Sequence, residues 1–90
     1  MLHHEVKHRI ESGIASSECI VHEFSGGTDH YSVIVVADAF EGQSSLARHR
    51  IIMDLFQAEV ATGEVHALSI KALTKKQWEQ EKHKYVAKPL

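Results

Sequence analysis

The sequence predicts an α+β fold, in which a three-stranded mixed sheet carries helices packed on one face in the order αββααβα. A short apolar strand at residues 33–36 is followed by a helical stretch and by a second strand at 65–71, which is the pattern of a parallel crossover unit. A further strand precedes the first of these by only a short loop, so that pair should be antiparallel. The middle strand therefore pairs with both neighbours.

Length and composition indicate one small domain over residues 1–90, with a core at about 2–82 and a tail at 83–90 that should fray. A formal net charge of -2, from 10 basic and 12 acidic side chains, gives no general attraction to nucleic acid or anionic membranes. The single Cys19 rules out an internal disulfide framework and suits a reducing compartment. No apolar run approaches the roughly 20 residues that span a bilayer, so we expect a cytoplasmic protein.

The first helix is predicted by apolar residues at every fourth position from Leu2 to Ile14, and it should stop near Gly13. Alternating faces at 19–24 then predict a short strand, followed by a loop at 25–29. Cys19 lies at the far end of the predicted sheet from the candidate site described below. We interpret it as a small buried hydrophobe.

Residues 31–37 are apolar on both faces, as in a central strand. Ser44 or Ser45 can cap the next helical region, which should end at Thr62–Gly63. The apolar side chains expected on its core face are Leu46, Ile51, Ile52, Leu55, Phe56 and Val60. The residues Arg48, His49 and Arg50 should mostly face outward.

The last strand begins at Val65 in this prediction, and its core row should comprise His66, Leu68, Ile70 and Ala72. A capping box from Thr74 to Gln77 begins the final helix, which Trp78 should anchor.

Two histidines stand where the second and third strands start. His30 lies just before the second strand and His66 one residue into the third. Crossover connections are right-handed in nearly every known case, so both strands run the same way and start at one end of the sheet. Neighbouring strands lie about 4.8 Å apart, which brings the two imidazoles within reach of a shared metal centre. The pattern alone favours a partly buried core histidine at position 66 over a ligand.

With these elements placed, the chain resembles the BolA-like protein family. The stretches that carry the resemblance, with their spacing, are 31–36, 40–42, 48–50, 66–72 and 74–78. The family fold is of the αββαβ type and is similar to the class II KH domain, which agrees with the architecture predicted above. The resemblance implies one BolA-like domain over the whole chain.

The resemblance implies an iron–sulfur adaptor in cluster trafficking or iron and redox regulation. Family members pair with CGFS-type monothiol glutaredoxins, which carry a glutathione-ligated [2Fe-2S] cluster. In the mixed complex the glutaredoxin cysteine and glutathione hold one part of the cluster. The BolA-like partner adds a histidine from the start of its last strand, which matches His66. A second cysteine or histidine comes from the loop before its second strand.

The chain departs from the family at that second ligand. Many members carry cysteine or histidine four residues before the aromatic residue that opens the strand, and Gly27 stands there in this chain. His30 and Asp29 remain as candidates, and the hard Asp29 carboxylate is the poorer match for such a cluster. With one distant cysteine the chain cannot hold a cluster alone, so we expect none in the isolated chain. We also expect the isolated chain to be a monomer.

A KH-like nucleic-acid-binding regulator of transcription, of the kind linked to stress and cell morphology, is the alternative that the resemblance implies. The residues that could contact DNA are Arg48, Arg50, Lys71, Lys75 and Lys76. Against it, Gly42 has no partner glycine three residues away, so the Gly-x-x-Gly clamp of KH domains is absent. The sequence also has no nucleophile–base pair and no glycine-rich phosphate loop, so we expect no enzymatic activity.

Overall fold

The computed structural model describes residues 2–23, 30–65 and 67–84. Its helices and strands, in order, are α1 (His3–Gly13), β1 (Glu18–Glu23), β2 (His30–Val36), α2 (Ser45–Asp54), α3 (Gln57–Thr62), β3 (Ala67–Leu73) and α4 (Lys75–Glu81). Single turns of 3-10 helix lie at Asp38–Phe40 and Lys82–Lys84. The predicted order αββααβα is confirmed. Of the tail predicted to fray, residues 85–90 lie outside the described part of the chain.

The sheet has the strand order β1-β2-β3, with β2 in the middle. β1 pairs antiparallel with β2, and Cys19 faces Val35. β2 pairs parallel with β3, and His30 faces Ala67. The predicted mixed sheet is therefore confirmed, together with its antiparallel and parallel pairings.

The predicted start of the third strand at Val65 is wrong by two residues. Val65 is buried, and its backbone N–H donates to the Glu59 carbonyl at 3.1 Å. That bond commits the Val65 backbone to the end of α3 rather than to the sheet. The regular strand consequently begins at Ala67.

The main core lies between one face of the sheet and helices α1 and α2. Its largest fully buried side chains include Ile10 of α1, Tyr31 of β2, Phe40, Ile52 of α2 and Phe56. The two helices come close at Gly13, where an added Cβ would lie 2.6 Å from Leu55 Cδ2. Glycine at position 13 therefore permits this contact.

Two residues expected in the core are exposed. Leu46 is 59% exposed and Val60 is 42% exposed. The helical region breaks between α2 and α3 at Leu55 and Phe56, so one helical period cannot run through both segments. Within α2, Leu46 lies six positions before the buried Ile52, which turns Leu46 about 120° away from it around the helix. Arg48 instead lies one turn before Ile52 on the same face.

A second, smaller cluster covers the opposite face of the sheet. It contains Ile34, Val36 and Leu73, with Ile20 and Trp78 packed against them. Alternate residues of β2 thus serve the two faces, because side chains alternate along a strand. α1 and α2 pack on the main face, whereas Trp78 packs α4 against the other. The predicted packing of the helices on one face is therefore wrong for α4, because Ile34, Val36 and Leu73 form an apolar patch on the second face that Trp78 covers.

Both predicted helix caps are present. The Ser44 hydroxyl oxygen accepts from the Ala47 N–H at 3.1 Å at the start of α2. At α4 the Thr74 hydroxyl accepts from the Gln77 N–H at 3.1 Å, and the Gln77 side chain accepts from the Thr74 N–H at 2.9 Å. None of the helices within the described ranges is long and apolar enough to cross a bilayer.

Candidate functional site

The parallel pairing of β2 and β3 defines one end of the sheet, which we call the start end. His30 is the first residue of β2 and faces Ala67, the first residue of β3. The parallel pairing expected from the sequence is therefore present in the backbone. His66, the residue before Ala67, lies outside the described residues, as do Asp29 and the side chain of His30. Their roles as cluster ligands stay predictions.

His3, which the sequence analysis did not single out, packs against Tyr31 near this end of the sheet. The ring of His3, the first residue of α1, lies edge-on to the ring of Tyr31, with 5.9 Å between centroids. Tyr31 is fully buried and directly follows His30. Leu2, expected in the apolar row of α1, is instead 57% exposed. The spacing from His3 to the buried Val6 and Ile10 is the signal that could have placed His3 inward.

The backbone leading into β3 is fixed by an ion pair between α1 and α3. Arg9 donates two hydrogen bonds to the Glu59 carboxylate, at 2.7 and 2.9 Å. The same guanidinium donates to the Leu55 carbonyl at 2.9 Å and lies over the Phe56 ring. Because the Glu59 carbonyl accepts from the Val65 N–H, this pair holds the segment that precedes the start end.

Cys19 is buried well away from the start end. It faces Val35 in the β1–β2 register, five positions along β2 from His30, or roughly 16 Å. Burial raises the pKa of its thiol to about 12, so the reactive thiolate is scarce at neutral pH. The interpretation of Cys19 as a buried hydrophobe is confirmed. Within the described ranges, no three His, Cys, Asp or Glu side chains gather as a metal site.

Arg48 lies at the opposite end of the β2–β3 pair, the far end, where Val36 faces Leu73. Its Nε donates to the Gln43 carbonyl at 3.0 Å. Its Nη1 donates to the Ala72 carbonyl at 3.0 Å and to Gln77 Oε1 at 2.9 Å. The expectation that Arg48 mostly faces outward is wrong, because its helix face turns it toward β3. The guanidinium joins α2, β3 and α4 through neutral acceptors.

A groove of about 380 Å³ runs beside β3 at the far end. α2 lines it with Ser45, Arg48 and His49, β3 with residues 70–73, and α4 with Gln77 and Glu81. Of the five basic residues proposed for DNA, the groove brings together Arg48 and Lys71. The exposed Arg50 and Lys76 do not line it, and Lys75 is 3.5 Å from the Asp38 carboxylate.

A family model described as BolA-like protein matches residues 3–77. The chain belongs to the BolA-like protein family. The match covers all three strands of this BolA-like fold and both ends of the β2–β3 pair.

Relatives and solved structures agree with that membership. BolA-like protein 1 of Mus musculus is 45% identical over 56 residues, which are 62% of this chain and 40% of that protein. The DNA-binding transcriptional regulator BolA of Escherichia coli is 40% identical over 55 residues, 61% of this chain and 51% of the relative. The solution structure of mouse BolA1 superposes with a TM-score of 0.78 at 31% identity, covering 96% of this chain and 75% of that one. The chain spans less than two thirds of the length of the curated relatives it matches.

Several stretches that carry the BolA-like resemblance hold the fold together. Phe40 is fully buried beneath the Arg48 guanidinium, which lies 5.8 Å from its ring centre. Gly42 has a φ of 75°, a left-handed conformation that side chains with a Cβ rarely adopt. Thr74 and Gln77 form the capping box of α4. These residues of the BolA-like stretches therefore stabilise the fold.

Proposed function

We propose that this BolA-like protein is an iron–sulfur adaptor that docks on a CGFS monothiol glutaredoxin and shares its glutathione-ligated [2Fe-2S] cluster. The observation that carries the proposal is the parallel register in which His30 faces Ala67. Ala67 directly follows His66 in the sequence, and this adjacency supports His66 as the partner of His30 in the proposed site. Cluster trafficking or iron and redox regulation is the process that such an adaptor serves.

The donor chemistry of this chain supports a shared cluster. Imidazole can replace two of the four thiolates of an iron–sulfur cluster and raises its reduction potential. Cys19 is buried, with a thiol pKa of about 12, and lies toward the far end. The thiolates must therefore come from the partner, through its cysteine and its glutathione. When shared, the cluster supplies the link between the two proteins, and this chain supplies imidazole nitrogen.

The protonation state of the ligating histidines should make the complex sensitive to acid. Only neutral imidazole can ligate iron, so protonation competes with cluster binding. We therefore expect the heterocomplex to weaken as the pH falls through the ordinary histidine range.

The proposal is tested by mixing the full chain with a cluster-loaded monothiol glutaredoxin. The visible spectrum should shift relative to the all-thiolate glutaredoxin dimer, and the complex should elute at the size of a heterocomplex. A glutaredoxin whose spectrum and size are unaltered by this chain would overturn the proposal.

The second ligand is tested separately with His30→Ala. A change in the heterocomplex spectrum without unfolding supports His30 as that ligand. An unaltered spectrum assigns the position to Asp29 or to a group from outside this chain.

A nucleic-acid-binding regulator is the second candidate, favoured by the likeness to the Escherichia coli protein named a DNA-binding transcriptional regulator. Arg50, Lys71 and Lys76 are exposed and available to phosphates, whereas the exposed Lys75 lies 3.5 Å from the Asp38 carboxylate. The Arg48 guanidinium is instead hydrogen-bonded within the fold. A DNA titration at several salt concentrations tests this candidate, because phosphate contacts weaken steeply with salt. Absence of binding at low salt would remove it.

A further inference from the structure

β3 is an edge strand whose outward backbone groups can be assigned. In a strand, the N–H and C=O of one residue point to the same side, and successive residues alternate. The Leu73 carbonyl accepts from the Ala37 N–H at 3.0 Å, on the side of β2. The Ala72 carbonyl accepts from Arg48, on the other side. Leu68, Ile70 and Ala72 therefore direct their N–H and C=O groups away from the sheet.

Among the residues that the structure describes, one hydrogen bond covers these outward groups. Arg48 Nη1 occupies the place on the Ala72 carbonyl that an N–H of an added strand would take. No hydrogen bond from any described residue reaches the outward groups of Leu68 or Ile70. The groove leaves space between α2 and α4 along residues 70–73 of this edge. Sheet edges of this kind are ready to pair with another extended backbone.

The charge of the groove favours an acidic occupant. Lys71 is exposed in β3 and makes no ion pair with any residue in the described part of the chain. Arg48 contributes a second positive charge whose hydrogen bonds go to neutral oxygens. Glu81 is the one carboxylate among the described lining residues. The balance near β3 is therefore positive, although the whole chain has a formal net charge of -2.

We propose that the β3 edge is a docking site for an extended, acidic segment of a partner protein, which adds a fourth strand to the sheet. The added strand pairs with Leu68 and Ile70 and ends at Ala72, where Arg48 takes the carbonyl. Main-chain hydrogen bonds provide the affinity, and carboxylates beside Lys71 select the segment. Docking at this edge does not depend on a cluster.

Other occupants fit the groove less well. A second copy of β3 would bring another Lys71 and Arg48 to the same edge, where like charges repel. A nucleic acid would match the charge but has no regular alternation of N–H and C=O to pair with the strand. An extended peptide satisfies both the backbone spacing and the charge.

The test uses the full chain, labelled with nitrogen-15, and a capped peptide of alternating valine and aspartate as long as β3. We expect chemical-shift changes centred on residues 68–72 and slower exchange of the Ile70 amide. A matched peptide, N-methylated on the residues that face β3, keeps its side chains but cannot pair and should not bind. Equal binding of both peptides, or absence of any shift on β3, would overturn the proposal.

The contribution of charge is tested with Lys71→Glu. This variant should bind the acidic peptide severalfold more weakly than the wild type does, and it should bind a peptide of alternating valine and lysine more tightly. Lys76→Glu, exposed and outside the groove, is the matched control and should change neither. A short DNA that shifts the same amides more strongly would replace the peptide as occupant. A concentration-dependent dimer protecting residues 68–72 would assign the edge to a second copy. Protection lost on deletion of residues 85–90 would assign it to the chain's own tail.

Discussion

The two ends of the β2–β3 pair are built in different ways. At the far end, Arg48 makes three hydrogen bonds that join α2, β3 and α4, and its guanidinium lies over Phe40. At the start end, His30 faces Ala67. Among the described residues, two contacts stabilise this end: the His3 ring packs against Tyr31, and Arg9 of α1 pairs with Glu59 of α3.

This difference divides the residues that carry the BolA-like resemblance into two classes, those that stabilise the fold and those proposed to bind the cluster. Side chains at the far end make their hydrogen bonds within the fold, so their substitution should lower the free energy of unfolding. A histidine that ligates a shared cluster must instead keep its nitrogen available to a partner. The start end should therefore govern the heterocomplex, and the far end should govern the free energy of unfolding.

The largest expected effect is the loss of the heterocomplex in His66→Ala. Substitutions that only support a metal ligand typically weaken binding about tenfold or more, and loss of a ligand should do at least as much. We expect normal circular dichroism and a strongly reduced cluster spectrum with glutaredoxin. His49→Ala, an exposed histidine of α2, is the matched control. A folded His66→Ala that retains the wild-type heterocomplex spectrum would refute the ligand assignment and with it the contrast between the ends.

Arg48→Ala tests the far end. Loss of its three hydrogen bonds should lower the free energy of unfolding by about 2 kcal/mol, measured by urea titration. Arg50→Ala, exposed in the same helix, should change it by less than about 0.5 kcal/mol. Both folded proteins should still form the glutaredoxin complex. Equal stability of the two variants would show that the Arg48 bonds are not a structural element of this end.

Cys19→Ser should reduce stability without altering the complex. A hydroxyl in place of the fully buried thiol costs about 1–3 kcal/mol if it finds no partner. Its place toward the far end predicts an unchanged heterocomplex spectrum once the variant is folded. Loss of the cluster in this variant would contradict both the inert thiol and the choice of ligands.

The smallest effect should be the acid sensitivity contributed by Glu59. Its hydrogen bonds from Arg9 hold the pKa of the Glu59 carboxyl below its ordinary value of 4.5. A depressed folded-state pKa stabilises the protein above pH 4.5, and this contribution is lost as the pH falls through the folded-state value. Glu59→Gln should therefore lose stability at neutral pH and show a shallower decline on acidification. Glu18→Gln, exposed on β1, is the control, and identical pH profiles would argue against the Arg9–Glu59 contribution.

The fold could be predicted because its main signals are local. The apolar runs, the Ser44 and Thr74 caps and the crossover rule account for the order of elements and for the parallel pairing of β2 and β3. Periodicity failed at Val60 because two short helices replace one continuous helix, and at Leu46 because its position in α2 lies about 120° around the helix from Ile52. Periodicity also placed the start of β3 too early, at Val65, whose N–H donates to the Glu59 carbonyl of α3.

The candidate site was predictable in its backbone and less so in its side chains. The placement of His30 beside the start of β3 follows from topology alone. The inward position of Arg48 depends on the rotation of α2 against β3, which no local pattern of charges reveals. The packing of His3 on Tyr31 is likewise a contact between distant segments. Such contacts form only once the helices have docked on the sheet.

One oxygen atom at the far end has a consequence for local opening of the fold. Gln77 Oε1 accepts from both the Thr74 N–H and Arg48 Nη1. α4 has seven residues, too few for an isolated helix to persist in water. Unwinding of α4 would break both bonds and withdraw Trp78 from the second cluster, while Arg48 would keep its bonds to the Gln43 and Ala72 carbonyls. Fraying of one short helix would thereby uncover the second apolar cluster beside the edge strand β3, creating a template for aggregation before the rest of the domain unfolds.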